Sequence, residues 1–267
     1  MYPGHFFYLG GTLMENHLIA AVRQHHPITF TVANTVTSGK VADALSAIGA
    51  SPIMSAAPEE AADLVAAAHA VTLNLGTPTA ELCKELTAVA RAANRLHKPL
   101  VLDPVACGAT AFRQQINHDL LTNHRFTVIR GNAGEIASLA GVDWNGHGID
   151  AGSGDGDLVT LAQRCANRYQ TTVVLSGPVD VITNGQATRH NDRGTEWLAT
   201  NVGSGDILSS IIAALLGQGA DPVTAGWLGC RLVTTAGKNA TKGTHGLGSW
   251  QEHFLDELTM ITDEDLA

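Results

Sequence analysis

The sequence predicts an α/β protein built on a mostly parallel sheet with helices packed closely against it. Three observations lead there. Short β-branched runs alternate along the chain with longer Ala- and Leu-rich runs. Ala, Gly, Val and Leu are abundant while aromatic residues make up only 5%, a mix that suits close helix–sheet contact. Hydrophobic residues at 45% against 15% charged describe a globular chain, and 267 residues suffice for a large core. No repeat, low-complexity linker or charge block divides the sequence, so 1–267 reads as a single domain, with 1–24 as an N-terminal arm or helix.

The start, Met1 to Leu13, is mildly apolar but lacks a basic n-region and a clear cleavage site, so it reads as an arm, not a signal peptide. Val71–Leu75 reads as a buried strand. Pro78–His97 follows as a helix with Pro in its first turn and Lys84, Arg91 and Arg95 on its polar face. Pro99–Asp103 and Phe126–Arg130 are the next strands. Leu158–Tyr169 is a helix, Thr171–Leu175 a strand, and Val179–Gly185 turns like a hairpin. Ile207–Leu216 and Val223–Lys238 are apolar helices. This alternation implies parallel pairing with right-handed crossovers. Ligands of such sheets sit beyond the carboxyl ends of the strands, which singles out Asn74, Asp103, Arg130 and Ser176.

The formal charge of -9 argues against a nucleic-acid or membrane surface, and no run reaches transmembrane length. A polyphosphate would need a local device instead. The four cysteines are isolated, without C-x-x-C, which fits a reducing cytoplasm and signals neither zinc knuckle nor redox pair. The twelve histidines are dispersed without metallohydrolase spacing. Ser176–Gly177 lacks the G-x-S-x-G of a hydrolase elbow.

Gly-Ser-Gly-Asp occurs twice, at 152–155 and 203–206. The first copy lies among Asp150, Asp155 and Asp157, a poor place for phosphate, and reads as a surface loop before a helix. The second runs directly into the apolar stretch Ile207–Leu216. A glycine turn opening a buried helix presents free N–H groups and the positive end of the helix dipole to an anion. Gly203, Ser204 and Gly205 are therefore phosphate-cradle candidates, with Asp206 beside the γ-phosphate; the other reading of Asp206 is a helix N-cap. The turn is neither a Walker A loop nor a dinucleotide fingerprint.

Several stretches then align in order and spacing: Ala47–Met54, Leu73–Thr77, Leu102–Val105 with Gly108–Thr110, Ile129–Glu135, Gly148–Gly152 and Gly248–Ser249. Through them the chain resembles the hydroxyethylthiazole kinases over roughly residues 25–260. The resemblance implies a ribokinase-like three-layer α/β/α fold with a mostly parallel central sheet. It also implies ATP and Mg²⁺, phosphorylation of the primary alcohol of 4-methyl-5-(2-hydroxyethyl)thiazole in thiamine salvage, and a homotrimer with sites between subunits. Asn34, Met54 and Gly203 match positions that bind the alcohol substrate, although Met54 also reads as a core methionine. Arg130 and Ser176 fall on the nucleotide side, where Arg130 meets phosphate oxygens during transfer. Glu135, opening a helix after Asn132, and Asp103 are the carboxylates for a hydrated Mg²⁺; the alternative for Glu135 and Arg130 is a helix-cap salt bridge.

The chain departs from the family where Gly-x-Gly-Cys becomes Gly203–Asp206, so the implied catalytic base is Asp206, a group ionised at pH 7. Lys-Val-Thr before the turn becomes Thr200-Asn201-Val202. His-x-Ile-Thr-Asn becomes Phe30–Asn34, and Asn-Phe-Thr-Ala-Asn becomes Gly39–Asp43. These changes admit a kinase for another small hydroxyalkyl heterocycle, or a non-catalytic ligand-binding trimer derived from the kinase.

Overall fold

The computed structural model describes residues 17–143 and 156–267. The arm at Met1–Leu13, the stretch Gly148–Gly152 and the first Gly-Ser-Gly-Asp turn lie outside them. Among the described residues, β1 (Ile28–Val32), β2 (Ser51–Met54), β3 (Ala70–Asn74), β4 (Leu100–Asp103), β5 (Val128–Gly131), β6 (Thr172–Leu175), β7 (Asp180–Thr183) and β8 (Thr188–Asn191) form one sheet. Its order is β2-β1-β3-β4-β5-β6-β7-β8. The first six strands are parallel, with β7 antiparallel to β6 and β8 antiparallel to β7.

Strand alternation feeds two cores. Val101, Val128 and Val174 face one side; Leu100, Leu102, Ile129, Val173 and Leu175 face the other. The first side is covered by α1 (Leu18–His25), α2 (Ser38–Ala47), α9 (Ser204–Gly217), α10 (Pro222–Asn239) and α11 (Leu247–Met260). The second is covered by α3 (Ala61–Ala67), α4 (Ala80–Arg95), α5 (Ala111–Asn123), α6 (Ala133–Ala140) and α7 (Gly156–Tyr169). The short α8 (Glu196–Thr200) and α12 (Asp263–Leu266) complete the helices. This is the expected three-layer α/β/α arrangement. Helix α9 is apolar on nearly every face because it lies between the sheet and both α2 and α10.

Local chemistry sets the element ends. Thr79 caps α4 by accepting from the Leu82 amide at 3.1 Å, so Pro78 precedes the helix and is not in its first turn. Arg113 ties two strand ends together, donating to the carbonyls of Leu75 at 2.6 Å and Val105 at 2.7 Å. The hairpin expected around Val179–Gly185 is β7 and its turn, in which the Asn184 side chain accepts from the amides of Gln186 and Ala187. The strand order reverses between β1 and β3, so the carboxyl ends of these neighbours open a crevice.

Candidate active site

That crevice holds Asp206. Gly203 adopts φ +102°, a left-handed conformation that brings the chain into the first turn of α9. Three hydrogen bonds reach the Asp206 carboxylate. Asn34 Nδ2, just beyond β1, donates to Oδ2 at 2.8 Å. The Thr37 hydroxyl, at the start of α2, donates to the same oxygen. Asn74 Nδ2, the last residue of β3, donates to Oδ1 at 3.1 Å. All three partners come from other elements, so the carboxylate is not spent capping α9.

Asn34 is buried and its amide is fully engaged. Its Oδ1 accepts from the amides of Val36 and Thr37, and its Nδ2 also donates to Asn74 Oδ1 at 3.0 Å. A substrate would meet the rest of the side chain, not a spare amide hydrogen. Met54 ends β2, half-buried against the α9 side of the core. Val36 and Val202, 64% and 63% exposed, stand beside Thr37 and Gly203 in sequence and give the mouth of the crevice apolar flanks.

Arg130 lies against the glycine turn. A Cβ on Gly205 would fall 2.1 Å from its Nη1, so any larger residue there would have to displace the guanidinium. Its Nη2 donates to Ser176 Oγ at 2.6 Å, and its Nη1 stands 3.6 Å from Asp103 Oδ2. The turn is held from behind by Asn201, whose Nδ2 donates to Ser204 Oγ at 2.9 Å. Lys40 reaches over from α2 and donates to the Val202 carbonyl at 3.0 Å, so a cation stands at the turn although Thr200-Asn201-Val202 supplies none. Asp180 also supports this side: its Oδ1 accepts from the Gly177 amide at 3.0 Å, next to Ser176.

Asp103 is buried. Ser209 donates to its Oδ2 at 2.8 Å, while Oδ1 has no hydrogen-bond partner among the described residues. Burial pushes its carboxyl up to about 7, and the charges of Asp206 and Glu135 push the same way, against Arg130 and Ser209. Glu135 realises the helix-cap reading, though through amides and not an ion pair. Its Oε2 accepts from the Asn132 amide at 2.8 Å, Asn132 accepts from the Glu135 amide at 3.0 Å, and Oε1 accepts from Ala106 at 2.8 Å. Each Glu135 oxygen keeps a lone pair. Among the described residues no three His, Cys, Asp or Glu side chains are grouped to cage an ion. The unpartnered Asp103 oxygen and the nearby acidic charges suit a cation held largely by water and phosphate.

Thr37 and Asn201 were not picked out from the sequence, and Asn74 only by its place at a strand end. The Asn-x-x-Thr spacing at 34–37 was the available signal, since an Asn side chain that turns its own backbone aims the next hydroxyl.

Parallel strands in this order, with a glycine-opened helix aimed at their carboxyl ends, are the architecture of the ribokinase-like phosphotransferases. The fold superposes on a solved ribokinase-like superfamily protein from Enterococcus faecalis with a TM-score of 0.64, at 15% identity over 98% of this chain and 100% of that one. The particular family is set by sequence: the model of the hydroxyethylthiazole kinase family matches residues 19–264, and the chain belongs to that family. It is 50% identical over 226 residues to a hydroxyethylthiazole kinase from Lactiplantibacillus plantarum, covering 84% of this chain and 86% of the relative. One from Limosilactobacillus fermentum is 45% identical over 254 residues, covering 95% and 99%. The solved hydroxyethylthiazole kinase protein from Pyrococcus horikoshii superposes with a TM-score of 0.86 at 29% identity over 94% of both chains.

Proposed function

We propose that this chain transfers the γ-phosphoryl group of ATP to the primary hydroxyl of 4-methyl-5-(2-hydroxyethyl)thiazole in thiamine salvage, with Asp206 as the general base. The observation that carries the reading is the placement of Asp206. It sits in the first turn of a glycine-opened helix, yet its carboxylate is held by Asn34, Thr37 and Asn74.

The substrate hydroxyl approaches Asp206 between Met54 and Gly203. Asp206 accepts its proton as the oxygen bonds to the γ-phosphorus and the bond from that phosphorus to the β-phosphate bridge breaks. Amides of the Gly203–Asp206 turn and the Arg130 guanidinium meet the phosphoryl oxygens, with Ser204 and Gly205 shaping the cradle and Ser176 orienting Arg130. Asp103 and Glu135 would hold Mg²⁺ through water, and the ion would supply charge neutralisation at the phosphates. Family membership supports a homotrimer with sites between subunits, which the apolar flanks of Val36 and Val202 suit.

A coupled ADP-release assay over a panel of small heterocyclic alcohols tests the reading. Hydroxyethylthiazole should give the highest kcat/KM. A higher value for another hydroxyalkyl heterocycle would reassign the substrate, and no ADP release with any alcohol would favour a non-catalytic binding trimer.

A further inference from the structure

We propose that Thr37 and Asn74 are positioning residues that determine which oxygen of Asp206 receives the proton, and that this oxygen is Oδ1. The inference rests on the reading of Asp206 as the base. It follows from counting donors. The amides of Val36 and Thr37 donate to Asn34 Oδ1 at 2.9 and 3.1 Å, so the Asn34 amide turns its nitrogen towards Asp206. Both hydrogens of that nitrogen are used, one on Asn74 Oδ1 and one on Asp206 Oδ2. The Gly76 amide donates to Asn74 Oδ1 at 2.8 Å, which turns the Asn74 nitrogen to Asp206 Oδ1. Neither amide can flip without opposing a backbone N–H with another donor.

Thr37 completes the set. Its hydroxyl donates to Oδ2, whose two lone pairs are then taken by Asn34 and Thr37. Oδ1 takes one donor, Asn74, and keeps one lone pair. Among the described residues, the one acceptor position left free on the base is therefore on Oδ1.

Two further observations show that this arrangement is built in. Thr37 occupies the N-cap position of α2, yet its side chain makes no cap bond, so its hydroxyl serves Asp206 and not its own helix. The packing also leaves the cage no slack. A Cβ on Gly76 would fall 2.7 Å from Asn34 Cβ, and one on Gly203 would fall 3.0 Å from Thr37 Cγ2.

The test is steady-state kinetics of the full chain with ATP and hydroxyethylthiazole. Thr37→Val is isosteric and removes the donor, freeing a second acceptor position on Oδ2. We expect kcat to fall roughly 10- to 100-fold, the scale of a lost hydrogen bond to a charged group. KM for both substrates should stay within about twofold, and Thr37→Ser should recover most of the loss. In an Asp206→Asn background, Thr37→Val should add nothing, because Thr37 acts through that carboxylate. Parental kcat in Thr37→Val, with Asp206→Asn impaired, would overturn the positioning role and leave the base in place. Equal losses in both backgrounds would overturn it too, by showing action through fold or nucleotide. Parental turnover in Asp206→Asn would overturn the base reading and this inference together. If Thr37→Val melts below the assay temperature, Thr37→Ala is read by the same outcomes.

Discussion

Replacing Asp206 by Asn separates its chemical role from its structural one, and the site predicts both effects. Asn is nearly the same size, but its nitrogen must face a donor in either orientation: Asn74 Nδ2 if it replaces Oδ1, Asn34 Nδ2 if it replaces Oδ2. One hydrogen bond is lost and two donors oppose each other, at a cost of about 1–3 kcal/mol. For a chain of this size that lowers Tm by about 2–4 °C per kcal/mol. The chemical effect is larger. An amide cannot take the hydroxyl proton, and a positioned base contributes about 10²–10⁴-fold, or roughly 3–5 kcal/mol of barrier. Coupled ADP release at saturating substrates measures kcat, and thermal melting measures Tm. Adding Asn74→Asp to Asp206→Asn gives the new amide an acceptor and should restore Tm without restoring kcat, because the carboxylate has moved to β3. Near-parental turnover in Asp206→Asn, with only Tm lowered, would refute the reasoning and make Asp206 a structural residue.

Gly205→Ala should displace Arg130 and raise KM for ATP roughly tenfold, because its Cβ would overlap the guanidinium; an unchanged KM would remove Arg130 from the phosphate site. Glu135→Gln should weaken the Mg²⁺ dependence of turnover and, with one capping-box acceptor replaced, cost about 1 kcal/mol of stability; an unchanged Mg²⁺ titration would leave Glu135 as a cap alone. Burial, reinforced by the charge of Glu60, raises the Glu85 carboxyl to about 7, so the folded chain keeps a proton that the unfolded chain releases near pH 4.5. Stability should therefore fall as pH rises from about 4.5 to 7, and Glu85→Gln should exceed the parent at pH 8 by about 1–3 kcal/mol; equal urea midpoints there would refute it. Light scattering at micromolar concentration should give about three times the 27.9 kDa chain mass; a fully active monomer would rule out shared sites.

The fold was legible wherever burial dominated the local pattern. β3, β4 and β6 are buried at every position and so have no solvent-facing side to confuse the reading, and α9 and α10 stand out as apolar runs too long for strands. Helices α5 and α11 were less legible: each buries only three residues, so the apolar stripe is thin. The candidate site was legible as a list of polar residues at strand ends, because the crevice of a parallel sheet lies there. The connections between them were not. Nothing in the local sequence says that Thr37 serves a carboxylate 169 positions later. Glu135 shows the same limit from the other side, because Asn132-x-x-Glu135 spells a capping box and the proposed metal approach in the same letters.

The sequence distances within the crevice bear on how the protein acquires activity. Asp206 meets partners 132, 169 and 172 residues earlier in the chain. Closing such loops is entropically costly, and parallel sheets joined by crossovers form slowly. The receptor for Asp206, however, is oriented by neighbouring amides: Val36 and Thr37 set Asn34, and Gly76 sets Asn74. These residues are made long before α9 and need only neighbouring amides to orient them, whereas the carboxylate arrives with the last third of the chain. Refolding from denaturant should accordingly recover helical signal before it recovers turnover, making catalysis a late reporter of folding.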